Sequence, residues 1–362
     1  MSLARLMATA WRQNLLVSVL VELTYRCNLD CFFCYNDLSL QGKPLSREQY
    51  FRFFDELRDL EVLHLTFSGG EPLAHPDFLL LGARVRELGF VVRVKSNGHA
   101  LRGELARRLR DEVDPFLVEV SLHGATAATH DRQTRVPGSF ERLLANLAEL
   151  RALELRVKLN STLTAWNEGE VEGMFALADA LGLPLQFDPE VTPRDDGSRE
   201  PLQVAASRGG LLRLFRIQTE RSRAAEGPGA GPQVRGVDDD LPAPAGKHCG
   251  AGSAGLAVDP YGNVYPCVQW RRPVGNLHEQ SLQEIWQGSA GLAEVRELTA
   301  RAKGVVESRG PRSSLLSFCP GMASVHSGGD PLQVYASAVQ RKELLEVVLD
   351  EEARRPLLPV IS

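Results

Sequence analysis

No stretch of this 362-residue sequence is apolar for anything near the roughly 20 residues that a membrane-spanning helix needs, which excludes a helical membrane protein. Basic residues are not in excess either: 41 Lys and Arg stand against 46 Asp and Glu, a net charge of −5. A protein that binds by neutralising phosphates would carry the opposite balance, so general nucleic-acid binding is disfavoured. The start, Met1 to Asn14, lacks the apolar core and small-residue cleavage site of a signal peptide. The expectation is a soluble, cytoplasmic protein with neither nucleic acid nor membrane as partner. Cysteine is scarce. Three of the six lie within eight residues (Cys27, Cys31 and Cys34) and three lie late (Cys249, Cys267 and Cys319). That is too few for a disulfide scaffold, and the clustering fits thiolates reserved for metal or redox chemistry in a reducing compartment. What is abundant is ordinary: 43% apolar and 24% charged residues, the balance of a globular protein. The length favours one large α/β unit plus a smaller module.

From residue 15 to about 190, apolar runs of strand length alternate with amphipathic helical stretches. Strands are expected at Leu15–Leu23, Val62–Phe67, Val91–Lys95, Phe116–Ser121, Arg156–Thr162 and Pro184–Asp188. Ser46, with Gln49 at the capping-box position, opens a helix carrying Tyr50, Phe51, Phe54 and Leu57. Ser139 opens another, and Asn167 a third that Gly182 closes. Short strands separated by helices are repeated βα units, hence a parallel sheet. Periodicity leaves open whether six strands form an open sheet or an incomplete barrel. Residues 190–246 turn polar and rich in Pro and Gly around a short helix near Leu211–Arg221, with the Asp238–Asp240 run read as solvated linker. Beyond them, Val258–Tyr265 reads as two short strands on a tight turn. Ser281 to about Leu298 reads as an interrupted helix, and Leu332 to Arg354 as the last one.

Cys27-Asn-Leu-Asp-Cys31-Phe-Phe-Cys34 follows the first strand directly. Three thiolates so spaced can converge on one point but supply only three ligands, where a structural zinc site takes four. On a cubane they leave one iron open, as a cluster needs if it must pass an electron to a bound molecule. This Cys-x3-Cys-x-aromatic-Cys arrangement, with Phe33 as the aromatic, resembles the motif of the radical S-adenosylmethionine (SAM) superfamily. A second match is Ser68-Gly69-Gly70-Glu71-Pro72, where paired glycines let the backbone approach a ligand and Glu71 could accept from an ammonium. Further matches are Ser96-Asn97-Gly98 and Ser121-Leu122-His123-Gly124, in which His123 replaces an acidic residue. His130-Asp131-Arg132 and Gly138-Ser139-Phe140 have family-like spacing, read equally as substrate contacts or as a loop and helix cap. The resemblance implies a partial (β/α)6 barrel and a [4Fe-4S] cluster on Cys27, Cys31 and Cys34. It also implies SAM held by Ser68, Gly69, Gly70, Glu71, Pro72, Ser96, Asn97 and Ser121. All these motifs lie at the C-terminal ends of strands, where parallel α/β folds place their chemistry.

Cys249 and Cys267 stand in a Cys-x12-Gly-x4-Cys frame that resembles the start of a SPASM or twitch domain, the auxiliary iron–sulfur module of many such enzymes. Cys319-Pro-Gly-Met resembles its closing segment. Three late cysteines permit one auxiliary [4Fe-4S] cluster at most, on Cys249, Cys267 and Cys319, with His248, His326 or Asp330 as weaker candidates for a further ligand. Loss of the cluster, leaving buried thiols, is the alternative. The domains expected are 1–190 (partial barrel), 191–246 (bridging helix and linker), 247–335 (small α+β SPASM/twitch-like domain) and 336–362 (C-terminal helix and tail).

The resemblance, spanning about residues 20–335, implies reductive cleavage of SAM to a 5′-deoxyadenosyl radical that takes hydrogen from a ribosomally made peptide or protein side chain. The product would be a cross-link, an epimer or an oxidised residue. The alternatives are the same chemistry on a small molecule, such as a cofactor precursor, sugar or tetrapyrrole, or a non-catalytic iron–sulfur sensor or scaffold. An electron donor such as flavodoxin or ferredoxin is implied. About 14 residues precede the first strand, so recognition of a peptide is expected to need either a separate leader-peptide-binding protein or the C-terminal tail. No base or hydrogen donor is identified, although Asp188, Glu190, Tyr35 and the late cysteines are candidates.

Overall fold

The computed structural model describes residues 3–37, 39–226 and 246–354, so Asp238–Asp240 lie outside the described residues. A helix not anticipated from the sequence, α1 (Leu3–Gln13), leads into β1 (Ser18–Glu22). Five βα steps follow. They are α2 (Arg47–Asp59) and β2 (His64–Ser68), α3 (Phe78–Glu87) and β3 (Val91–Ser96), then α4 (Gly103–Arg108), continued by one π turn, and β4 (Leu117–Ser121). Next come α5 (Ala127–Thr134), α6 (Ser139–Ala152) and β5 (Val157–Thr162), then α7 (Val171–Leu181) and β6 (Leu185–Asp188). All six strands pair in parallel, in sequence order. Each falls inside its expected run, or within a residue of it, because the alternation was legible.

The sheet does not close. On the far side of β1 lies β7 (Gly255–Val258), again parallel, followed by the antiparallel β8 (Asn263–Tyr265) and β9 (Gly275–Asn276). The late module is thus a continuation of the same nine-stranded sheet. Helices α8 (Arg208–Glu226), α9 (Leu282–Gly288), α10 (Ala290–Glu307), α11 (Pro320–Ser327) and α12 (Ala336–Ala353) complete the fold. Arg216 and Glu351 join α8 to α12 at 2.6 Å. Among the described residues, no helix is long and apolar enough to cross a membrane.

Alternate residues of a strand face opposite ways, and here the two faces differ sharply. Val19, Val21, Leu65, Phe67, Val92, Val94, Val118, Val120 and Leu159 are buried against the helices. The opposite row carries Thr66, Arg93, Lys95, Glu119, Lys158, Asn160 and Asp188. The capping box at Ser46 and Gln49 forms as expected and contributes about 1 kcal/mol.

Three helix starts depart from expectation. Asn167 does not open α7. Its side chain accepts from Thr164 N and donates to Thr162 O and His123 O, sealing the end of β5, and the helix begins at Val171. The interrupted helix is two helices, because Ser289 ends α9 and caps α10. The last helix begins at Ala336 rather than Leu332, whose amide is taken by the Asp330 carboxylate in a turn.

Candidate functional site

The chain leaves β1 at Glu22 and enters the loop that carries the first three thiols. Its middle is pinned to the end of α5 by Asp30 N and Phe32 N, which donate to Thr134 O and Gln133 O at 3.1 and 3.2 Å. Cys34 N donates to Cys31 O, and the Cys27 thiol accepts from Leu29 N at 3.4 Å and Asn97 Nδ2 at 3.7 Å. Cys27 is exposed, Cys31 and Cys34 half-buried, and all three are free.

The expected convergence on one point is not met: among the described residues no three Cys, His, Asp or Glu side chains close in as a single metal ion requires. A cluster makes a different demand, because each thiolate meets its own iron. The donor set fits that group. Burial, with Cys27 nearby, pushes Cys34 up to about 11; burial, with Cys34 and Cys27 nearby, raises Cys31; and partial desolvation of its thiol raises Cys27. Left alone they stay protonated, and a cationic cluster supplies the charge that would hold them as thiolates.

Ser68-Gly69-Gly70-Glu71-Pro72 leaves β2 beside this loop and extends its pairing with β1. Leu23 N donates to Ser68 O, Gly70 N to Thr24 O at 2.7 Å and Glu71 N to Arg26 O at 2.9 Å. Gly69 has φ +130°, and a Cβ there would lie 2.3 Å from Thr24 O. The close approach that the glycines permit is therefore to the chain's own backbone leading into Cys27, not to open space. Their polar groups are paired as well, since Gly69 O accepts from Asn36 Nδ2 at 2.9 Å.

Glu71 is buried, and its carboxylate accepts from Ser96 Oγ at 2.9 Å, Asn97 N at 2.8 Å and Leu73 N at 3.2 Å. Burial pushes it up to about 7 against those three hydrogen bonds. With both oxygens engaged, it holds the Ser96-Asn97-Gly98 turn in place. Asn97 then reaches Asn28 Oδ1 at 2.8 Å. The cysteine loop, the Gly-Gly-Glu-Pro segment and the Ser-Asn-Gly turn thus form one hydrogen-bonded unit at the mouth of the sheet.

Ser121 ends β4. Two residues on, His123 sets its ring edge against Phe33 at 4.8 Å and stacks on His130 at 5.9 Å. His130 Nδ1 accepts from His123 N at 3.1 Å. Asp131 accepts from Gly138 N, Ser139 Oγ and Phe140 N, so this pair of segments is one helix-capping unit for α6. Burial pulls His130 down to about 4 and His123 to about 3. The unfolded chain takes these protons near pH 6.5 and the folded chain does not, so stability rises with pH across that window. Acidification from pH 6.5 to about 4 costs roughly 1.4 kcal/mol per pH unit for each buried histidine. Urea midpoints measured against pH check this, with His130→Gln expected to flatten the slope.

The late thiols are also brought together. Cys249 and Cys267 pack with Ala251, Trp270 and Val295, while Cys319 packs beside Phe318 and Tyr335. Burial pushes Cys249 up to about 12, and Cys267 and Cys319 also rise. His248 turns Nε2 to Phe318 O at 2.7 Å, Asp330 is engaged in its turn, and His326 stacks on Tyr335 at 4.8 Å. Of the candidate bases, Glu190 is tied to Arg341 at 2.6 Å and to Ser337 Oγ at 2.7 Å. Asp188, at the open end of β6, accepts from Glu190 N and is raised by burial. Tyr35 lies half-buried beside Cys34.

Several functional contacts left no sequence signal. Asn36, Glu22, Asp195 and Arg271 each have partners far away in the chain, and no spacing pattern pairs them.

A family model described as the radical SAM superfamily matches residues 21–178, and SPASM, described as an iron–sulfur cluster-binding domain, matches residues 249–308. The PqqA peptide cyclase of Ruegeria pomeroyi is 31% identical over 288 residues, 77% of this chain and 76% of that protein. The AdoMet-dependent heme synthase of Methanosarcina barkeri is 27% identical over 76% of this chain and 83% of its own. Among solved structures, anSMEcpe with bound AdoMet and the Cp18Cys peptide superposes with a TM-score of 0.67, at 16% identity, over 93% of this chain and 99% of that one.

Proposed function

The chain belongs to the radical SAM superfamily, as an enzyme with a SPASM iron–sulfur domain, and from that premise we propose that it modifies a side chain of a ribosomally made peptide or protein. When bound, the cluster and SAM supply a 5′-deoxyadenosyl radical able to take hydrogen from an unactivated carbon. Cys27, Cys31 and Cys34 hold the cluster. Ser68 to Pro72, Ser96, Asn97 and Ser121 form the SAM site, with Glu71 also setting the Ser96–Asn97 turn. Cys249, Cys267 and Cys319 hold one auxiliary [4Fe-4S] cluster, in a segment whose first strand extends the barrel sheet. A flavodoxin or ferredoxin delivers the electron in the cytoplasm, and a separate leader-peptide-binding protein presents the substrate.

The observation that carries this reading is the single hydrogen-bonded unit of cysteine loop, Gly-Gly-Glu-Pro segment and Ser-Asn-Gly turn. The substrate class is supported by likeness to a peptide cyclase. Likeness to a heme synthase favours a second reading, the same chemistry on a tetrapyrrole. The polar face of the sheet, with Lys95, Glu119, Asn160 and Asp188, suits either substrate. Anaerobically reconstituted, dithionite-reduced enzyme should form 5′-deoxyadenosine and change the mass of a peptide substrate. A mass change in a tetrapyrrole alone would move the assignment to the second reading. No 5′-deoxyadenosine under any condition would leave a non-catalytic iron–sulfur protein.

A further inference from the structure

Glu22, the last residue of β1, is fully buried and receives both arms of the Arg271 guanidinium, at 2.6 and 2.9 Å. Arg271 is itself 11% exposed, lies over the Tyr265 ring at 5.1 Å, and forms an ion pair with Asp195, whose carboxylate is 2.9 Å from Nε without a hydrogen bond being made. Two further contacts give the cluster of charges its meaning. Tyr25 Oη donates to Glu22 at 3.0 Å, two residues before Cys27. Asp195 N donates to Tyr35 O at 2.7 Å, one residue after Cys34. Both flanks of the thiol loop therefore lead to the same guanidinium. Arg271 comes from the late segment, four residues beyond Cys267, whose carbonyl accepts from Trp270 N at 3.2 Å.

We infer that Arg271 is a positioning residue: it ties both ends of the Cys27–Cys34 loop to one point and couples that loop to the segment bearing Cys267. The inference rests on the reading that this loop holds the radical-generating cluster. Stability alone does not explain the arrangement. A buried ion pair gains little over apolar side chains of the same size, and its best-attested use is to fix one geometry. A planar fork hydrogen-bonds one carboxylate through two nitrogens while its delocalised charge stays within ion-pair distance of a second. A lysine at 271 keeps the charge and loses one of the two tethers.

The test uses full-length Arg271→Lys and a neutral variant carrying Glu22→Gln, Asp195→Asn and Arg271→Met, which leaves no unpaired buried charge if the lysine variant fails to fold. Hydrogen exchange in residues 27–35 should quicken by about tenfold or more in either variant while β3 to β6 keep wild-type protection. Iron per chain should fall after reconstitution, and the shift that SAM causes in the electron paramagnetic resonance spectrum of the reduced cluster should weaken. Wild-type exchange in residues 27–35 together with a wild-type SAM-induced shift, in a folded variant of either kind, would overturn the inference. If the wild-type protein gave no cluster spectrum at all, the functional reading would fail, and the exchange measurement would still decide whether Arg271 braces the loop.

Discussion

In the Cys34→Ala protein, 5′-deoxyadenosine formation falls to background, whereas the Cys267→Ala protein goes on cleaving SAM without completing product. Loss of a residue that merely supports a metal ligand commonly costs about 10–100-fold, so losing a ligand at the reacting centre should exceed about 100-fold. Cys34 stands at the mouth of the parallel sheet, in the unit that joins the cysteine loop to the Gly-Gly-Glu-Pro segment and the Asn97 turn. Cys267 follows β8 and packs in one cluster with Cys249, which precedes β7, and both strands lie on the far side of β1 from that turn. Chromatography of 5′-deoxyadenosine beside mass spectrometry of the substrate separates the two effects, as a falling ratio of product to cleaved SAM. Total loss of cleavage in a folded Cys267→Ala protein would contradict the division of labour between the two sets of thiols. Iron analysis gives a companion count: about eight atoms per chain for two clusters, and about four once the early cysteines are removed.

Gly69→Ala and Gly70→Ala should each be as damaging as losing a ligand, although neither adds more than a methyl group. The new Cβ would stand 2.3 Å from Thr24 O at Gly69, and 2.6 Å from Arg26 O at Gly70. Both obstacles are backbone and cannot swing aside. At Gly69 the φ of +130° adds strain for any other residue. Overpacking and strain together should cost about 2–5 kcal/mol. The relief available is displacement of residues 24–26, which carries Cys27 with it. A shift of about 1 Å at a reacting centre can lower turnover roughly 100-fold. Gly304→Ala is the control: it sits exposed in α10 with nothing within 4 Å of its Cβ, and should gain about 0.5–1 kcal/mol. Chemical denaturation and SAM cleavage, measured on all three proteins, check both halves of the expectation. Equal behaviour of Gly70→Ala and Gly304→Ala would remove the backbone-contact argument.

How far the sequence could be read depends on how local each cause is. The six parallel strands and the capping box at Ser46 rest on neighbours a few residues apart and appear where periodicity places them; of the hairpin expected within Val258–Tyr265 the turn and second strand do, while the first strand is Gly255–Val258, just ahead of it. Motif spacing led directly to the three early thiols. What escaped reading has distant causes. Glu22 and Arg271 are 249 residues apart in the chain, so nothing near either one marks it as half of a pair. Glu71 also braces the Ser96–Asn97 turn through donors some 25 residues away, a contact that its own motif does not announce. Asn167 looked like a helix cap, yet its side chain had carbonyls of other loops to satisfy. The late cysteines suggested a separate module, and only the backbone pairing of β7 with β1 reveals a shared sheet.

That pairing bears on how the molecule is made. β1 is flanked by β2 and by β7, a strand translated some 230 residues later, so at ordinary synthesis rates one side of β1 waits roughly 10–50 s for its partner on the ribosome. During that wait a strand of Val19, Leu20 and Val21 presents an unpaired edge, a template for joining another nascent chain. Truncated or stalled products ending before Gly255 should therefore be found in aggregates or on chaperones, not as a shorter folded protein.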